Sequence, residues 1–184
     1  MPKKTVKRAS VNRDPKVALN TAPDYSATFT HEIMSLHRVI AEELSASVEL
    51  DDDMNYGSAQ KLVVWLDRGC RLIAPRSPKA AYRLIDFVSS RGRFFTFITL
   101  ALSASTAGWK EKGFEEPKRY WNLVAKGNLP DGIKFVQKKI ASVMESNKYA
   151  LLEDPVLIQE ATGHWTKLDS RPATVFEVLF SEVL

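Results

Sequence analysis

A chain of 184 residues, 45% hydrophobic and 26% charged, is long enough to bury a sizeable core and reads as one domain plus an arm. Its single cysteine, Cys70, excludes an internal disulfide and fits a reducing compartment. The net charge of +4 is unevenly spread: residues 1–16 hold six basic residues and one acid, a net +5, which leaves 20 basic and 21 acidic residues, a net −1, for the rest.

Residues 1–25 lack hydrophobic periodicity and contain Pro2, Pro15 and Pro23. Such a segment is expected to be disordered by itself. Lysines follow Met1 without an apolar signal core, so no secretory leader is expected. A first helix is predicted from Thr28 to Ser47, where Phe29, Ile33, Leu36, Ile40 and Leu44 recur three or four residues apart. A second helix is predicted from Ser58, with Leu62, Val63, Leu66 and Ile73 inward. Ser77-Pro78 predicts the start of a third, with Tyr82, Ile85 and Val88 on its core face.

After the break at Ser90–Arg93, the run from Phe94 to Leu102 is apolar nearly all round. It predicts a central buried helix, with a buried strand as the alternative, and is far too short to span a bilayer. Pro117 opens a predicted short helix carrying Tyr120, Trp121 and Val124. Asn128–Gly132 is a turn signal. Ile133, Val136, Ile140, Val143 and Met144 mark the next helix. Asp154-Pro155 starts another, closed by Gly163, and Pro172–Leu184 predicts the last. The fold class expected from these spacings is therefore all-α. A single compact helical domain of seven or eight helices (26–184) follows an extended basic N-terminal arm (1–25).

Three motif-like stretches fall short of the chemistry they resemble. His31 and His37 are six residues apart, about 240° around a helix, so one regular helix cannot aim both at one metal. Asp51-Asp52-Asp53 begins like a calcium loop but has Tyr56 and Leu62 where glycine and glutamate are required. Cys70, Arg76 and Ser77 match the bare spacing of cysteine phosphatases, yet the intervening residues lack glycine and include Pro75. No glycine-rich nucleotide loop occurs. The chain is therefore expected not to be an enzyme and to need no metal or cofactor.

Cations interleaved with aromatics are more suggestive, because nucleic-acid binding uses cations for phosphates and ring faces for unpaired bases. In the arm the candidates are Lys3, Lys4, Lys7, Arg8, Arg13 and Lys16. In the body, Arg91 and Arg93 precede Phe94 and Phe95, and Lys118 and Arg119 precede Tyr120 and Trp121. Glu111, Glu115 and Glu116 offset much of the second patch. The leading expectation is a non-enzymatic nucleic-acid-binding structural subunit of a nucleoprotein assembly, of coat, nucleoprotein or RNA-guided-complex type. Its partners would be DNA or RNA and copies of itself or other subunits, with no membrane. A cytoplasmic setting is expected, with nucleus or virion as alternatives. The competing expectation is a protein–protein interaction module, an adaptor or inhibitor, anchored by its tryptophans.

Overall fold

The computed structural model describes residues 14–51, 59–102, 120–124, 126–167 and 169–180. Its centre is a sheet, and the expected all-α class is overturned. In chain order the elements are α1 (Pro15–Leu19), α2 (Ala27–Leu44), β1 (Glu49–Asp51), β2 (Ala59–Leu66), β3 (Leu72–Ile73), β4 (Tyr82–Ser89) and β5 (Arg93–Leu102). There follow β6 (Tyr120–Leu123), a 3-10 turn (Lys126–Asn128), α3 (Asp131–Ser146), β7 (Ala150–Leu151), α4 (Asp154–Leu157), β8 (Glu160–Trp165), β9 (Pro172–Thr174) and α5 (Val175–Phe180).

Among the described residues, seven strands form one mixed sheet in the order β1-β2-β4-β5-β6, with β3 on β2 and β7 on β5. The long strands β2, β4 and β5 are antiparallel neighbours, and β7 joins β5 in parallel. Both flanks are split. β1 and β3 share the outer edge of β2, while β6 and β7 share that of β5.

Residues predicted as helices from Ser58 and Ser77 are strands β2 and β4, and Phe94–Leu102 is strand β5. The sheet is covered on both faces, and this erases the alternation that normally marks a strand. Even-numbered Leu62, Val64, Leu66, Leu84, Val88, Phe94 and Ile98 pack with the inner faces of α2 and α3. Odd-numbered Phe87, Phe95 and Phe97 pack with α1, α5 and the residues around α4 and the β8–β9 hairpin. A strand buried on both sides reads as a continuous apolar run, as a core helix does.

Both amphipathic helices lie where their periodicity predicts. Ser26 caps α2 by accepting from the Thr28 amide at 3.2 Å, and Phe29, Ile33, Leu36, Ile40 and Leu44 are all buried. α3 buries Ile133, Val136, Ile140 and Met144. The predicted helix through Tyr120 and Trp121 is strand β6 where described. The segment to Gly163 is α4 followed by strand β8, and the last helix is, where described, α5 after strand β9, with residues 181–184 outside the described residues.

Part of the N-terminal segment is docked. Asp14 caps α1 through the Lys16 amide at 2.9 Å, Pro15 stands in its first turn, and Ala18 is buried against the α5 layer. Arg93 Nη2 donates to the Asp14 carbonyl at 3.1 Å. That bond ties the exit of the basic arm to the first residue of β5. No helix among the described residues is long and apolar enough to cross a membrane.

Candidate nucleic-acid interface

Two cation-rich regions lie at opposite ends of β4. The first surrounds the β4–β5 turn, where Gly92 takes φ +69°. Arg91 and Arg93 flank that glycine. Asp24 donates its amide to Ser90 Oγ at 3.0 Å, and Ala150 donates to the Gly92 carbonyl at 3.0 Å. The turn thus gathers the backbone of three separate segments, at Asp14–Lys16, Asp24–Tyr25 and Lys148–Ala150.

Arg93 is buried, with Nη1 bonded to the Gly92 carbonyl at 3.0 Å and Nη2 to that of Asp14. Arg91 is half-buried. Burial pulls both guanidinium groups below their ordinary pKa, with Asp14 opposing the shift at Arg93 and Tyr25 at Arg91. Arg91 Nη1 and Arg93 Nε are buried without a hydrogen-bond partner among the described residues. Lys16 and Lys148 are exposed, on segments whose backbone reaches the turn at the Asp14 and Lys148 carbonyls. None of these four cations has a carboxylate ion pair among the described residues.

At the other end of β4 lies an aromatic–ionic cluster on the face of odd-numbered residues. Arg83 points its guanidinium over the Trp121 ring at 3.9 Å and lies 5.5 Å from the Trp65 centroid. The two indoles meet edge to face at 5.6 Å and 80°. Arg83 Nε donates to Thr99 Oγ1 at 3.1 Å on the neighbouring strand. Trp65 Nε1 donates to Glu49 Oε2 at 2.7 Å, and Arg76 Nε reaches Glu49 Oε1 at 2.7 Å. Burial lowers the Arg83 pKa, opposed by the charges of Glu49 and Asp51. Here the cations are largely matched: Arg76 pairs with Glu49, Lys61 with Asp51 and Arg71 with Asp67.

The expected site residues are thus partly located. Lys16, Arg91 and Arg93 are brought together through the β4–β5 turn and α1. Lys3, Lys4, Lys7, Arg8, Arg13, Lys118 and Arg119 lie outside the described residues. Sequence reading missed Arg83, Thr99, Glu49 and Trp65, which only strand pairing brings beside Trp121. It also missed the cationic balance of residues 59–89, which hold six basic residues and two acidic ones, a net +4.

The other motif-like stretches remain structural. His37 Nε2 bonds the Val48 carbonyl at 2.7 Å. Arg76 pairs with Glu49, whereas Cys70 packs against Gly132 in the first turn of α3, so their spacing builds no phosphate cradle. Asp52 and Asp53 lie outside the described residues. Among the described residues, no group of three or more His, Cys, Asp or Glu could hold a metal ion. Comparison with family models, with curated proteins and with solved structures finds no match to this chain.

Proposed function

We propose that the chain is a non-enzymatic nucleic-acid-binding subunit that holds phosphates at the β4–β5 turn and along the basic arm leaving it. The observation that carries this reading is the company kept by the charges. Arg91 and Arg93 on the turn, and Lys16 and Lys148 on segments whose backbone meets it, have no carboxylate ion pair among the described residues, and Asp14, bonded to Arg93, directly follows residues 1–13. A cation already held by a carboxylate must break that pair to take a phosphate. An unpaired one need not, and an anion recovers part of the solvation lost by the two half-buried or buried arginines. Residues 1–13, which precede Asp14 in the chain, add Lys3, Lys4, Lys7, Arg8 and Arg13. The near-neutral remainder is suited to packing beside other subunits.

Deletion of residues 1–13 tests this while keeping Asp14 and α1. Five cations are lost, so the slope of log affinity against log salt should fall by about 3.5 to 4.5 if each contacts a phosphate. Unchanged affinity and slope would remove the arm from the interface.

A second reading, a protein-interaction module, is favoured by the outer side of the α2–α3 pair. A groove of about 500 Å³ is lined there by Val39, Phe135 and Val143, with Lys138, Lys139 and Glu43 at hand. Phe135 is 61% exposed, with Lys139 Nζ 5.4 Å from its ring centroid. Recovery of one stoichiometric protein partner after nuclease treatment would favour this reading over the first.

A further inference from the structure

A duplex hides the faces of its bases, whereas a single strand offers them for stacking on aromatic rings or on the plane of an arginine. The cluster at the far end of β4 has the parts for such stacking. Trp121 is only partly buried and stands on the short strand β6, with Leu123 67% exposed two residues further along on the same face. Arg83 lies over its ring, and Trp65 abuts it edge-on.

The cluster is also held in advance. Thr99 fixes Arg83 Nε, and Glu49 fixes the Trp65 indole N–H and the Arg76 guanidinium. A platform whose rotamers are already fixed loses little entropy when a ligand settles on it. Exposed cations for the adjoining phosphates are present as well. Arg68 and Lys79 stand in the connections between β2 and β4 at this end of the sheet, and neither forms an ion pair among the described residues.

We propose that Trp121, backed by Arg83 and Trp65, seats an unpaired base, so that the nucleic acid this chain takes is single-stranded. This inference rests on the nucleic-acid reading above and adds the class of ligand. The base lies on the face of the Trp121 ring turned away from Arg83, which backs the other face. The flanking phosphates face Arg68 and Lys79. Arg83 acts as a positioning residue and a stacking plane together, a role lysine cannot fill because its ammonium has no plane. The β4–β5 turn lies about 25 Å away, the length of the eight-residue strand β4, so one strand of nucleic acid crossing the molecule can reach both ends.

The test uses the full chain and short fluorescein-labelled DNA and RNA oligonucleotides, single-stranded and as duplexes, at one salt concentration. Single strands should bind about ten-fold tighter than duplexes and quench tryptophan emission. Trp121→Ala should weaken single-strand binding about ten-fold and leave duplex binding unchanged. Trp121→Phe should restore most of the loss. Trp165→Ala, at an exposed indole in the C-terminal hairpin, should change nothing. Should Trp121→Ala fail to fold, Arg83→Lys must reproduce the selective loss at unchanged charge. Equal affinity for both forms, with these variants neutral, would overturn this inference and leave the phosphate reading standing. No binding of either form at low salt would overturn both.

Discussion

The Arg83 guanidinium lies 3.9 Å from the centroid of the Trp121 ring, joining β4 to β6 across the intervening strand β5. Replacing Arg83 by Ala removes that cation–π contact, the bond to Thr99 and the guanidinium 5.5 Å from the Trp65 ring centroid. The expected loss is about 1–2 kcal/mol of stability, with a change in tryptophan emission. Arg83→Lys should recover less than half of it. Urea denaturation of the three proteins, followed by fluorescence and by circular dichroism, checks both statements.

A methyl group added at Gly132 would meet Cys70 Cβ at 2.7 Å, closer than two carbons can approach. Gly132→Ala is therefore expected to destabilise the protein by about 1–3 kcal/mol, despite alanine's better helix propensity. Cys70 has φ +60°, a backbone that glycine adopts freely. Adding Cys70→Gly should remove the clash and the strain together, so the double variant should be more stable than Gly132→Ala alone. Thermal melts of the three variants give the answer, and additive losses would refute the contact.

Glu177 accepts from the Arg171 guanidinium and from the Thr174 amide and hydroxyl, at 2.8 and 3.0 Å for the latter two. These bonds, the one from Arg171 foremost, hold its carboxyl at about 2, below the ordinary 4.5. A depressed folded-state pKa contributes stability that is present above the ordinary value and lost as pH falls from about 4.5 towards about 2. Glu177→Gln should lower stability at neutral pH and flatten its decline across that acid window. Parallel denaturation midpoints across this range measure the difference, and identical slopes would exclude the link.

The helix α2 ends at Ser45 in the left-handed region, φ 50°. Serine is strained there, whereas glycine is the usual residue at such an end. Ser45→Gly should raise stability by about 0.5–1 kcal/mol, read as a higher denaturation midpoint at an unchanged slope.

Arg93 fastens the exit of the arm by its bond to the Asp14 carbonyl. Arg93→Met keeps an apolar stem in the buried site and removes that fastening. Trypsin should then cut after Lys16 faster than in the parent chain, while global stability changes by no more than about 1 kcal/mol. A cleavage rate equal to the parent's would show that Arg93 does not hold the segment.

How far the fold could be read varied with how each element is buried. α2 and α3 carry one apolar face each, and Phe29 to Leu44 or Ile133 to Met144 repeat at helical spacing because the opposite face meets solvent. The central strands gave no such contrast. In β5, Phe94 and Ile98 face α2 and α3 while Phe95 and Phe97 face the C-terminal layer, so apolar residues run without alternation. The enrichment of this segment in phenylalanine, threonine and isoleucine was the one local sign of a strand.

By itself the sequence determined the concentration of positive charge in residues 1–16, the two amphipathic helices and the failure of the histidine, acidic and cysteine motifs. Composition and short-range spacing suffice for these, since each concerns residues close along the chain. Tertiary structure alone decided the sheet, and with it the meeting of Glu49, Trp65, Arg83, Thr99 and Trp121. Their positions lie up to 72 apart, from 49 to 121, and the registers Glu49↔Val63, Trp65↔Arg83, Arg83↔Thr99 and Ala101↔Trp121 bring them together. Strand register arises from burial on both faces at once, a property of the packed layers that no window of the chain contains.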